Sequence, residues 1–88
     1  MRLKHQFEIM DLDDRVIAVP VGDGAEMYHG VFKMNETAAV IFNLLNEETT
    51  EEAIVAFMKE KYDAPIDLLT EDVHKYIEEF KKNDMLVL

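Results

Sequence analysis

The chain has no cysteine. That excludes disulfides, thiolate metal centres and a cysteine nucleophile, and it suits a reducing cytosol. It also has no run of about 18 apolar residues, so no segment reads as a membrane span. The opening stretch "MRLKHQFEIMDLDD" has basic residues but no continuous apolar region behind them, unlike a secretory signal. These absences predict a soluble, cytoplasmic protein. Positive charge is scarce: nine Lys and Arg stand against nineteen Asp and Glu, for a net −10. Residues 1–34 carry −2 of this and residues 35–88 carry −8. Nucleic-acid binding draws most of its affinity from neutralising phosphates, so an acidic C-terminal half argues against it. An acidic surface keeps a small protein in solution and favours partners with basic residues.

The usual enzyme constellations are missing as well. There is no GxSxG, P-loop, GxGxxG or HExxH. His5, His29 and His74 are scattered, without metal-ligand spacing. His29 reads as a loop residue and His74 as solvent-facing. The acidic pairs Asp13-Asp14, Glu51-Glu52 and Glu78-Glu79 are sequence neighbours, which do not converge on a helix. No catalytic residue, metal or cofactor is expected.

What is present reads as one domain, residues 1–88, with strands before helices. "FEIM" (Phe7–Met10) alternates apolar and polar residues, "DLDD" is a turn, and β-branched "RVIAVPVG" (Arg15–Gly22) is a second strand. Pro20 fits only an edge, a bulge or a strand end. "GDGAEMYHG" holds all three glycines and reads as a loop. "VFKM" (Val31–Met34) is a short third strand. A helix follows Asn35, a favoured cap, with Ala38, Ile41, Phe42 and Leu45 on one face, and ends near "NEE". Thr49-Thr50-Glu51-Glu52 matches a capping box opening a second helix, with Ile54, Phe57, Met58 and Tyr62 inward. "DAP" ends it. A third helix is placed after Thr70, with Leu69, Val73, Tyr76, Ile77 and Phe80 on its stripe. Lys81 and Lys82 suit its negative end, and Asn83 suits a left-handed cap. "MLVL" is compatible with a short terminal strand. The order βββααα indicates an α+β domain with helices on one face of a three-stranded antiparallel sheet. The six methionines either fill core gaps or form an adaptable binding surface.

A sheet of this kind has two edges whose backbone groups can accept an extended peptide. Here the sequence resembles a known family. "VIAVPVG" followed by "YHGVFKMNETAAVIFNLL" is similar to the PqqD-like pattern of VVVPVG, a loop, then NGxxxLNETAxxIW. "TTEEAIVAFMKEKYD" and "DVHKYIEEFKKNDML" resemble that family's second and closing helices. The resemblance runs from about Phe7 to Leu86. Met34 stands where Leu is usual, Phe42 where Trp is common, His29 where Asn is frequent, and Asn83-Asp84 where Gly usually ends the last helix.

The resemblance implies a winged-helix-like domain that is not an enzyme. It implies recognition of the leader segment of a ribosomally made precursor peptide and its presentation to a modifying enzyme, often a radical S-adenosylmethionine maturase. The leader docks as an added strand on the third strand, against the last helix. Carried onto this sequence, the strand is Val31, Phe32, Lys33 and Met34, and the wall is Val73, Tyr76, Ile77 and Phe80. Apolar helical stripes mostly serve the core, so about half of those four are expected to face it alone. Side chains alternate along a strand, so Phe32 and Met34 are expected inward and Lys33 near solvent. A homodimer through a strand edge stays open, as do two other readings: a winged-helix regulator that binds nucleic acid, and an adaptor subunit that binds protein but no leader. On the last helix, acidic residues outnumber Lys75, Lys81 and Lys82, which disfavours the regulator.

Overall fold

The computed structural model describes residues 1–22 and 30–88. Its elements are β1 (Arg2–Leu3), β2 (Phe7–Leu12), β3 (Arg15–Pro20), β4 (Phe32–Met34), α1 (Glu36–Leu44), α2 (Glu51–Lys61), α3 (Ile66–Lys82) and β5 (Leu86–Val87). The expected α+β order of three antiparallel strands and three helices is present, with the sheet ordered β2-β3-β4. A second, two-stranded sheet joins β1 to β5, with Arg2 opposite Val87 and Leu3 opposite Leu86. Local pattern does not reveal β1, because its strand partner β5 lies at the far end of the chain.

The hairpin β2–β3 turns on Asp13 and Asp14 alone, since Asp11 and Leu12 continue the strand opposite Val16 and Arg15. β3 stops at Pro20, two residues before the expected end, and Gly22 beyond it takes a left-handed φ of 62°. Much of the loop expected between Gly22 and Gly30, His29 included, lies outside the described residues.

Each helix start has a physical cause. Asn35 caps α1 as expected, its Oδ1 accepting from the Ala38 N–H at 2.8 Å. α2 is capped by Thr50, whose hydroxyl accepts from the Ala53 N–H at 3.1 Å. The expected capping box on Thr49 and Glu52 does not form. The Thr49 backbone is held by Met1 instead, donating to the Met1 carbonyl at 2.9 Å and accepting from the Met1 ammonium at 2.8 Å. The same ammonium, 2.7 Å from Glu48, holds that carboxyl below its ordinary range. α3 starts at Ile66 rather than after Thr70. The helix before it stops at Lys61, with Tyr62 extended, and Pro65 stands at the N-cap of α3: its carbonyl accepts from the Leu69 N–H at 3.1 Å. Thr70 lies inside the helix, its hydroxyl donating back to the Ile66 carbonyl at 2.8 Å.

α3 ends in a Schellman motif. The Met85 N–H reaches the Phe80 carbonyl at 3.0 Å and the Asp84 N–H reaches the Lys81 carbonyl at 3.0 Å. The left-handed residue is Asp84, with φ 58°, not Asn83, whose φ is −91°.

The helices cover one face of the sheet. Val16, Ala18 and Met34 from the sheet meet Ile41, Phe42, Leu45, Ile54, Met58, Leu69, Val73, Ile77 and Phe80 in one core. Phe42 stands at its centre, edge-on to Phe7 at 5.2 Å and to Phe80 at 5.7 Å. On α2 the buried residues are Ile54, Val55 and Met58, while Phe57 is exposed. Val55 and Phe57 both fit helical spacing with Ile54 and Met58, and packing against α3 selects Val55. Tyr62 packs against the core and is partly buried.

Candidate functional site

Backbone parity in the sheet follows from one bond. The Val21 N–H donates to the Gln6 carbonyl at 3.1 Å, so these two form a hydrogen-bonded pair. Such pairs alternate along an antiparallel ladder, so Glu8–Val19, Met10–Ile17 and Leu12–Arg15 are hydrogen-bonded too. Val16 and Ala18 then turn their backbone groups toward β4, and their partners Met34 and Phe32 turn back toward them. Lys33, opposite Ile17, is left with its N–H and C=O pointing out of the sheet. Val31, expected as the first residue of this strand, lies one residue before it. No described backbone group pairs with either residue from the outside. The β4 edge therefore offers the amide and carbonyl groups an added strand needs.

Side chains alternate as expected. Met34 is buried, Phe32 is half-buried against the core, and Lys33 is exposed. Of the four α3 positions, Val73, Ile77 and Phe80 are core residues with at most 6% exposure. Tyr76 alone reaches the surface. Its hydroxyl accepts a hydrogen bond from Asn35 Nδ2 at 2.9 Å, which fixes it beside the end of β4. Asp72, Glu79 and Asn83 lie at helical spacings from Tyr76 and share its flank of α3. Asn83 Nδ2 donates to the Glu79 carbonyl at 2.9 Å. The sequence pointed to the apolar stripe and missed this polar flank, which becomes visible only once Asn35 shows which side of α3 faces β4.

On the other flank, His74 is exposed as expected. Its Nδ1 lies 3.1 Å from Glu51 Oε1, and its Nε2 lies 4.0 Å from Glu78 Oε1. Ligand atoms of these three residues fall within 4.8 Å of one another. Glu51 is twenty-three residues from His74, so spacing carries no trace of the cluster. Two carboxylates around an exposed imidazole form a polar surface cluster, of small energetic consequence.

The sequence model for coenzyme PQQ synthesis protein D, PqqD, matches residues 9–86. The chain belongs to the PqqD family. Its fold is also similar to a solved structure described as TbiB1 in complex with the TbiA(beta) leader peptide. The TM-score is 0.73 at 19% identity, and the match covers 98% of this chain and 94% of that one. No curated protein matches the sequence. As a PqqD-family domain the chain presents the same order of strands and helices that its motifs announced. No described helix is long and apolar enough to cross a membrane.

Proposed function

We propose that this PqqD-family protein is a non-catalytic binder of leader peptides. It holds the leader of a ribosomally made precursor on the β4 edge and presents the rest of the precursor to a modifying enzyme, a radical S-adenosylmethionine maturase in the fullest form of the reading. The observation that carries the proposal is the outward-facing backbone of Lys33, with Tyr76 fixed beside it by Asn35. Family membership and the likeness to a leader-bound protein support the same reading.

In this reading the leader pairs with Val31 and Lys33 through main-chain bonds and lays alternate side chains toward Tyr76. Phe32, Met34, Val73, Ile77 and Phe80 set the position of that surface from beneath. Ordering a disordered leader offsets much of the contact energy, so the complex is of modest affinity and works by raising the precursor's effective concentration at the enzyme. The whole process belongs in the cytoplasm, where precursors are synthesised. The β2 edge, where the backbone of Ile9 and Asp11 turns outward, is where a second copy can pair without displacing the leader. Sedimentation across a concentration series tests for that homodimer.

The direct test is a titration of isotope-labelled protein with the leader of a precursor encoded beside it. Amide shifts centred on Val31–Met34 and Tyr76 are expected. Shifts confined to α2, or none at saturating peptide, would refute the site.

A further inference from the structure

The flank of α3 that carries Tyr76 also walls a cavity of about 180 Å³, set between the start of α1, the end of α2 and the first half of α3. Ile41, Met58, Leu69 and Val73 form its floor, and all four are buried core residues. Thr37 and Asp72 also line it and are only half-buried, so they mark its mouth.

The mouth adjoins the β4 edge. Thr37 lies two residues beyond Asn35. Asp72 lies one helical turn before Tyr76, whose hydroxyl Asn35 holds at 2.9 Å. Whichever way it runs, a strand paired with Lys33 has one end beside Asn35. Two further residues of extended chain span about 6.8 Å, and one helical turn about 5.4 Å, so the next side chains of that strand reach the mouth.

Asp72 is the only charged residue among the described lining. Its carboxylate makes no hydrogen bond or ion pair among the described residues. Two lysines beside the Tyr62–Ala64 wall are engaged elsewhere. Lys59 Nζ donates to the Ala64 carbonyl at 2.8 Å, and Lys61 Nζ lies 5.9 Å from the centre of the Tyr62 ring. A half-buried carboxylate above an apolar floor loses hydration and, in the free protein, gains no partner. A cation on an unbranched aliphatic stem supplies what is missing. Its methylenes cover the floor while its head meets Asp72. The size agrees. At about 30 Å³ per water, the cavity holds about six water-sized units, which is room for a lysine side chain or most of an arginine. An apolar side chain would instead seal the carboxylate without a partner.

We infer that this cavity receives a basic side chain of the leader, a lysine or arginine within about two residues of the end of its paired strand, and that Asp72 selects it. The inference rests on the proposed leader-binding function and adds a chemical requirement to it. Main-chain pairing with β4 supplies affinity to many sequences, and a pocket for one side chain supplies selectivity.

The test is a double-mutant cycle by calorimetry, using the full chain and the leader of the precursor encoded beside it. Each lysine and arginine of the leader is replaced singly by methionine, which keeps an unbranched stem and removes the charge. Every peptide is titrated into wild type and Asp72→Asn. Asp72→Asn removes no contact made in the fold, so its circular dichroism should match wild type. One replacement should weaken binding to wild type about fivefold or more, while Asp72→Asn should bind that peptide and the unaltered leader equally. Glu79→Gln, on the same flank but outside the cavity, should keep the full sensitivity. The inference is overturned if no replacement couples to Asp72, as when only water fills the cavity. It is also overturned if Glu79→Gln loses the sensitivity equally, or if the leader binds with no lysine or arginine in it. Tight leader binding alongside any of these results refutes the pocket alone. A wild-type chain that fails to bind leader refutes the function beneath it.

Discussion

The side-chain amide of Asn35 joins the start of α1 to Tyr76 in the middle of α3. Its Nδ2 donates to the Tyr76 hydroxyl at 2.9 Å while its Oδ1 accepts from the Ala38 N–H at 2.8 Å. One residue thus sets where β4 ends, where α1 begins and how far α3 stands from the strand edge. Tyr76→Phe separates these roles, since it keeps the cap and removes the tie. Because the bond is exposed, it should cost less than about 1 kcal/mol of stability. Leader affinity should nonetheless fall several-fold. Asn35→Ala loses both contacts and should cost about 1–2 kcal/mol in denaturant melts.

Asp84 is a non-glycine residue held in the left-handed region, at φ 58°. Asp84→Gly relieves that strain at the Schellman position. It also gives up an exposed ion pair with Lys4 at 3.0 Å, which contributes little at the surface. The net expectation is a gain of about 0.5–1 kcal/mol by chemical denaturation.

Tyr62 carries a buried hydroxyl with no hydrogen-bond partner among the described residues. It lines a cavity of about 180 Å³ together with Thr37, Met58, Leu69 and Asp72. Tyr62→Phe removes the unpaired polar atom and keeps the ring. Thermal melts should show a neutral or stabilising change of up to about 1 kcal/mol.

How far the sequence reaches depends on the range of the interaction. Asn35 was legible because a cap acts within one helical turn. The inward Met34 and outward Lys33 were legible because strand alternation is local. β1 was not, since Arg2 and Leu3 become a strand only by meeting Leu86 and Val87. Thr49 lost its expected capping role to Thr50, and its backbone is held by Met1, a partner forty-eight residues away. Val55 and Phe57 fit the same helical template, and only the position of α3 decides between them. At the candidate site the strand was readable and the helix flank was not. Apolar periodicity picked out Val73, Ile77 and Phe80, which fill the core. Tyr76 gained its place from a bond across forty-one residues.

The central claim is that a leader pairs with the outward backbone of β4. The decisive measurement is the leader's dissociation constant, by calorimetry, for wild type, Lys33→Ala and Lys33→Pro. A proline whose missing N–H faces outward is tolerated at a sheet edge, so the fold should survive by circular dichroism. The account predicts near-wild-type affinity for Lys33→Ala and a loss of about tenfold or more for Lys33→Pro. A folded Lys33→Pro protein that binds the leader as tightly as wild type would contradict it.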